Sequence, residues 1–214
     1  LKNERSCFLY AVAVTPTAER QDATESAPGK GAATRAAILE RAVDLASAEG
    51  LEGLTIGSLA AELRMSKSGL FAHFGSKQEL QLATIGAAAE RFSATVVEPA
   101  LSKPEGAERL RAVCDGYLDH LDLYAGGCFW GATSAEYDDR PGPVRDAIAA
   151  TLDAWVAELA RQAEIAGAER PERVAFELFS VIAGANSRYR LSGDARVFEY
   201  AREAIERLLD DELG

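Results

Sequence analysis

The stretch "LTIGSLAAELRMSKSGLFAHFGSKQEL", residues 54–80, decides how the chain folds. Thr55, Ser66 and Ser76 each stand just before a run of helix-compatible residues. A hydroxyl in that place accepts a hydrogen bond from one of the unpaired amides that open a helix. Three caps this close together predict two short helices joined by a turn, and then the start of a third. After Thr55, Ile56, Leu59, Ala60 and Leu63 follow at i, i+3, i+4 and i+7, which puts them on one face. Ser66 opens a second short helix running to about Phe74. "SKQE" (76–79) has the form of a capping box, with Glu79 reaching back, and opens a long helix to about Val97. Upstream, "TRAAILERAVDLASAE" (34–49) repeats Ile38, Leu39, Ala42, Val43, Leu45 and Ala46 at helical spacing, and Gly50 closes that helix in a left-handed cap.

Two helices of about eight residues with a tight turn between them make a helix-turn-helix, whose second helix enters a major groove about 12 Å wide. Ser66, Lys67, Ser68 and Gly69 would form its leading turn: three small residues that permit close approach, and a lysine that can donate to guanine or to phosphate. Leu70 and Phe74 are spaced to face inward, while Phe71 and His73 flank the sugar-phosphate wall. Lys77, beside the free amides of the next helix, completes an anion site. The chain as a whole is acidic, with 23 Lys+Arg against 34 Asp+Glu and a net charge of -11. That excess is uneven: residues 30–82 balance six cations against six acids, whereas residues 83–214 carry a net charge of -10. A polyanion is repelled by the second half, so nucleic-acid binding is confined to the first.

Ala, Leu, Glu and Arg fill the periodic segments and Gly and Pro fall between them, so the fold class is all-α. Further helices are expected at about 105–124, 128–139, 143–167, 171–191 and 194–211, separated by Gly126–Gly127, "RPGP" (140–143) and "ERP" (169–171). The expected organisation is an N-terminal three-helix DNA-binding domain over 30–82, a connecting helix continuing to about 97, and a second helical domain over 98–214. Residues 1–29 are expected to be a disordered tail, because "TAERQDATESAPGKG" offers little to bury. Cys7, Cys114 and Cys128 are odd in number and unpatterned, which suits a reducing, cytoplasmic setting. "CFLYAVAV" (7–14) is far too short to span a bilayer, so no membrane partner is expected.

The order of residues in 54–80 closely resembles the DNA-binding signature of the tetracycline-repressor (TetR/AcrR) family of bacterial transcriptional regulators. The resemblance spans about 32–85 and rests on the Thr55 cap, the Leu59–Ala60 pair, Ser66–Lys67, Leu70–Phe71, His73–Phe74 and Ser76–Lys77. It implies a homodimer that binds double-stranded operator DNA and is released by a small-molecule effector. It also implies that Thr55, Lys67, Phe71, His73 and Lys77 contact DNA, with Ser66, Ser68 and Gly69 at the base-facing start of the helix. Two positions depart from the pattern. Phe71 stands where the family usually has Tyr, and Arg64 occupies a turn position usually held by Gly, where a positive φ costs a non-glycine residue on the order of 1 kcal/mol.

In the second half, Cys114, Tyr117, His120, Phe129 and Trp130 cluster, with Tyr137 and Trp155 further on. Under the same resemblance these aromatic and polar groups are candidate walls of an effector pocket. The alternative readings are a helical interaction protein, or a thiol-based redox sensor using Cys114 and Cys128. An enzyme is not expected: "GGCFWG" has Trp130 where a nucleophile turn needs its second glycine. No metal and no cofactor are expected, since two histidines 47 residues apart do not make a usual ligand set. In the last two helices, Phe176, Phe179, Ile182, Tyr200, Ile205 and Leu208 are the candidate dimer interface.

Overall fold

The computed structural model describes residues 30–122 and 127–213, which form helices joined by short turns, with no strand among the described residues. The expectation for the tail lies outside them. The N-terminal helices are α1 (Lys30–Glu49), α2 (Ile56–Glu62) and α3 (Lys67–Phe74). The connecting helix is α4 (Lys77–Phe92). The remainder is α5 (Ala107–Asp122), α6 (Phe129–Tyr137), α7 (Pro143–Ile165), α8 (Pro171–Ser192) and α9 (Arg196–Leu213).

The three hydroxyl caps do what their positions predict. Thr55 Oγ1 accepts from the Ser58 amide at 3.0 Å, and the Ser58 hydroxyl accepts from the Thr55 amide at 3.0 Å, a reciprocal capping box. Ser66 accepts from Gly69 N at 3.1 Å and Ser76 from Glu79 N at 3.0 Å. Leu59, Leu70, Phe74 and Leu80 then meet Ile38, Ala42 and Val43 of α1 in a common core. Arg41 pairs with Glu62 to hold α1 against α2, and Arg91 of α4 reaches Asp44 of α1 at 2.7 Å.

Between α2 and α3 the chain turns through a Schellman motif. Met65 N donates to Ala60 O at 2.9 Å and Arg64 N to Ala61 O at 3.2 Å, which places Arg64 in the left-handed region with φ 53°. Arg64 is the one non-glycine residue with positive φ among the described residues, so the strain expected at this turn is present.

Helix α4 does not run unbroken to Val97. It widens into a π turn over Ser93–Val97, where the Glu98 amide reaches back to Ser93 O, and ends in a short turn, Glu98–Ala100. The β-branched run Thr95, Val96, Val97 and the missing N–H of Pro99 weaken ordinary α-helical bonding here. Beyond it, α8 packs against α7 and α9, and α5 fills the space between α7 and α9. Two arginines strap α5 to α9: Arg111 meets Glu206 and Asp210 at 2.9 Å each, and Arg202 meets Asp115 at 2.8 Å and Asp119 at 2.7 Å. α8 opens on Pro171, whose lack of an N–H costs nothing at the first position, and closes on left-handed Gly193.

Arg64→Gly should relieve the left-handed strain against a smaller rise in unfolded-chain entropy, stabilising the protein by about 0.5–1 kcal/mol. Urea unfolding of the parent and variant reads the difference; a destabilised variant would show that the Arg64 side chain contributes more than its backbone costs.

Candidate nucleic-acid interface and ligand cavity

From Leu63 to Gln78 the chain carries Arg64, Lys67 and Lys77 and not one carboxylate, in a protein that is otherwise rich in acids. The caps and the Schellman turn present this segment as a ridge. Ser66, Lys67 and Ser68 are exposed at the start of α3, and Gly69 is half-buried beside them. Lys67 lies back over Gly57 of α2, where an added Cβ would come within 3.7 Å of its Nζ. Phe71 is 55% exposed with no hydroxyl to offer, and His73 is half-buried beside Phe74, which also carries the Arg35 guanidinium 5.0 Å above its ring. Thr55 is half-buried at the head of α2, with its hydroxyl already used in the capping box. Lys77 Nζ sits 2.6 Å from Glu52 Oε1.

A cavity of about 460 Å³ opens between α5, α6, α7 and α8. Tyr117, Cys128 and Trp130 line it, as do Leu121, Gly131, Ser134, Leu152, Phe179, Ile182, Asn186 and Arg190. The Tyr117 hydroxyl and Cys128 Sγ are 3.3 Å apart. A small inner void shares Tyr117 and Trp130 with it and adds Phe92, Thr151 and Trp155. Phe92, Tyr117 and Trp155 stack edge-to-face with ring centroids 4.8–5.6 Å apart. A second cleft, about 630 Å³, separates α1 from α4, but Arg35, Glu40, Glu79 and Glu90 on its walls make it a solvated crevice.

Several candidate positions move to other roles. Phe179 and Ile182, expected at a dimer surface, line the cavity, with Ile182 only 1% exposed. Ile205 belongs to the subunit's own core, because Phe198, Ala201, Ile205 and Leu209 make the inward stripe of α9. Phe176 and Tyr200 are 66% and 57% exposed, and Leu208 is half-buried. Cys114, His120 and Phe129 are buried off the cavity lining. Tyr137 faces the opposite end of α6, where its hydroxyl donates to Glu52 Oε2 at 2.9 Å.

Residues 38–84 match the model for bacterial regulatory proteins of the tetR family, and residues 106–205 match that for the tetracyclin repressor-like C-terminal domain. The chain belongs to the TetR family. Among solved structures, a TetR-family transcriptional regulator from Streptomyces coelicolor is 24% identical with a TM-score of 0.74, the match covering 88% of this chain and 98% of that one. A TetR-family regulator from Cytophaga hutchinsonii is 16% identical with a TM-score of 0.75 over 88% and 98%. AibR, solved in complex with isovaleryl coenzyme A and operator DNA, is 22% identical with a TM-score of 0.65 over 82% and 97%. At these identities the likeness establishes the fold. No curated protein matches the chain. TetR-family proteins are DNA-binding transcriptional regulators and not enzymes. No described helix of this regulator is long and apolar enough to cross a membrane.

The sequence reading missed the whole α8 wall of the cavity. Asn186 Oδ1 accepts from Cys128 N at 3.5 Å, and an added Cβ at Gly131 would stand 2.6 Å from Asn186 Nδ2, so α6 and α8 meet through a glycine. Nothing in the sequence marked Asn186 or Arg190 as neighbours of α6. The two thiols among the described residues are poor nucleophiles: burial pushes up Cys114, and Cys128 too despite its Tyr117 contact.

His120 is buried under Phe92, with Nδ1 2.9 Å from the Thr95 hydroxyl. Burial, and then the Arg91 charge, lower its pKa to about 4. A folded value below the unfolded one means the unfolded chain binds the proton first. The neutral ring's contribution is therefore complete above about pH 6.5 and is lost as pH falls toward 4. His120→Gln should be less sensitive over that window, with the parent losing about 1–2 kcal/mol more stability between pH 7 and 5. Urea midpoints at the two pH values test this, and equal losses would remove His120 from the account.

Proposed function

We propose that this regulator is a repressor that binds a palindromic operator through the ridge Arg64–Gln78 and is released by a small-molecule effector seated in the α5–α8 cavity. Residues 30–82 serve as the DNA-binding unit and 98–214 as the ligand-binding and dimerisation unit. The observation that carries the reading is the acid-free, cation-bearing ridge at the leading turn of α3, exposed on a chain whose net charge is -11. Ser66, Lys67, Ser68 and Gly69 meet base edges; Thr55, Phe71, His73 and Lys77 lie along the backbone. Phe71 supplies only apolar contact to sugar, because it lacks the hydroxyl a tyrosine would direct to phosphate. A regulator working on chromosomal DNA acts in the cytoplasm.

The effector reading rests on the cavity's chemistry. Tyr117, Trp130, Leu152, Phe179 and Ile182 offer apolar walls, and Asn186, Ser187 and Arg190 offer polar groups along one side. No carboxylate is among the described lining residues, so a neutral or anionic ligand with an aromatic or aliphatic body suits it better than a cation. Release requires that ligand to favour the conformation that does not fit DNA, since equal affinity for both states shifts nothing.

The dimer reading rests on α8 and α9. Phe176, Ser180, Ala183, Gly184, Ser187 and Leu191 are exposed at three- to four-residue steps on α8, an uncharged stripe of small and apolar groups suited to close helix packing. Tyr200 on α9 adds a second large exposed apolar group. Two helices from each protomer would form a four-helix interface, and two-fold symmetry sets two recognition helices against a palindrome.

Anisotropy titrations with duplex from the region upstream of the regulator's own gene test the DNA reading. Lys77→Ala should weaken binding to every sequence and flatten its salt dependence. Lys67→Ala should also change base preference, by about 1–3 kcal/mol if Lys67 reads a guanine. Two variants that bind like the parent would remove the ridge from the interface.

Sedimentation equilibrium tests the dimer. Phe176→Glu should lower both mass and operator affinity, whereas a Phe176→Glu variant of dimeric mass would place the interface elsewhere. Ile205→Glu is not an interface probe, because the charge would be buried in the subunit core.

A further inference from the structure

Lys77 is not presented to DNA as a lone cation. Glu52, on the turn between α1 and α2, holds one carboxylate oxygen 2.6 Å from Lys77 Nζ. The other oxygen accepts the Tyr137 hydroxyl at 2.9 Å and has the Arg140 guanidinium 3.9 Å away. Tyr137 is itself pinned: it is buried, and its oxygen accepts from Gln81 Nε2 at 3.0 Å, a group that also donates to Leu51 O at 2.9 Å. Next to it, Glu136 accepts the amides of Leu51 at 2.7 Å and Glu52 at 3.0 Å. Two consecutive residues at the end of α6 therefore clasp the α1–α2 turn by backbone and side chain together.

This arrangement sets the direction of the Glu52 carboxylate. The side chains of Glu52 and Lys77 are 48% and 38% exposed, so the pair lies where a docking duplex would meet it. A phosphate arriving there meets a neutralised lysine and an adjacent negative charge. Binding then requires exchange of one anion for another instead of simple capture by a free ammonium.

We infer that Glu52 and Tyr137 are positioning residues for DNA docking: the Tyr137 hydroxyl aims the Glu52 carboxylate at Lys77, and that pairing must give way to phosphate when the duplex seats. The inference rests on the reading of Lys77 as a phosphate contact. Tyr137 closes the helix whose first turn supplies Trp130 and Gly131 to the cavity, so any shift of α6 alters how firmly Glu52 holds Lys77. The Glu52 carboxyl is held below the usual carboxylate range, first by the Lys77 contact and then by Tyr137, so it stays ionised at neutral pH.

The test uses the full chain and a labelled random-sequence duplex, titrated at a series of potassium chloride concentrations. Glu52→Gln keeps an acceptor for Tyr137 but removes the charge. It should bind about two- to fivefold tighter, with a log–log salt slope steeper by up to about 0.9, the value for one additional phosphate contact. In a Lys77→Ala background the same substitution should have no effect, which separates unmasking of Lys77 from general relief of repulsion. Tyr137→Phe should move affinity and slope in the same direction by a smaller amount. Glu52→Gln that binds no tighter, or that gains equally in the Lys77→Ala background, overturns the inference, as does Tyr137→Phe with weakened binding. If Lys77→Ala alone leaves affinity and slope at the parent values, the phosphate-contact reading fails before this one is reached.

Discussion

Everything in the molecule leans on α4 being buried along both sides. Leu80, Gln81, Thr84, Ile85, Ala87, Ala88, Ala89 and Phe92 are all buried, with α1 packed on one flank and α7 on the other, and Phe92 reaching Tyr117 of α5. The alanine run Ala87–Ala89 keeps the helix thin where neighbours crowd it, and Phe92 then fills the junction with Tyr117 and Trp155. A helix packed on two flanks at crystal-like density cannot shift for one neighbour without disturbing the other. The polar group in this wedge makes the link stricter. Gln81 is buried, and its amide finds partners in Leu51 O from the DNA-binding side and the Tyr137 hydroxyl from α6. Moving either side away would leave a buried donor unsatisfied, a cost of about 1–3 kcal/mol.

The charge distribution follows a comparable division. Acids dominate the second half, yet many are matched: Arg111 and Arg202 each bridge two carboxylates of the α5–α9 pair, and Arg161 bridges Glu105 and Glu158. These pairs are partly exposed and contribute little individually. Their effect is to limit the self-repulsion of a strongly acidic bundle. The ridge carries no acid over Leu63–Gln78, with Glu62 and Glu79 at its two ends and Glu52 against Lys77. The net charge of -11 opposes a duplex, so in the proposed function docking is confined to this acid-free stretch.

The N-terminal half was legible because its signals are local. A hydroxyl cap and an i, i+3, i+4 stripe are read within one or two turns, and Thr55, Ser66 and Ser76 bond the amides their positions implied. The left-handed Arg64 was foreseeable only through the family resemblance, which usually has a glycine at that turn position. The second half was legible as helices but not as a site. Periodicity shows that Ile182 and Ile205 lie on apolar stripes, yet it is silent on whether a stripe meets its own core, a cavity or another chain. Ile205 proved to be core and Ile182 cavity wall. Aromatic clustering grouped Tyr137 with Trp130, although seven positions along α6 separate opposite ends of a nine-residue helix, about 10 Å apart along the axis. Asn186 and Arg190 gave no signal, because single polar residues on a long helix look like solvated face until the neighbouring element is placed.

Helix α8 shows why those three destinations matter together. Val174, Leu178 and Ala185 point into the subunit, Phe179, Ile182, Asn186 and Arg190 approach the cavity, and Phe176, Ser180 and Gly184 are open on the outer face or close to it. Ala183, Ser187 and Leu191 belong to both the cavity lining and the exposed stripe. In the proposed dimer the partner would pack across the mouth of the cavity, so a ligand there would press on α6 from one side and on the subunit interface from the other. In that dimer the first path would end at the clasp on Glu52, and the second would set the separation of the two α3 helices. A palindromic operator would set that separation through its half-site spacing, one helical turn of about 34–36 Å or a multiple of it. A ligand acting on both paths need not move either far, because the losses in phosphate contact and in half-site spacing combine against the same bound state.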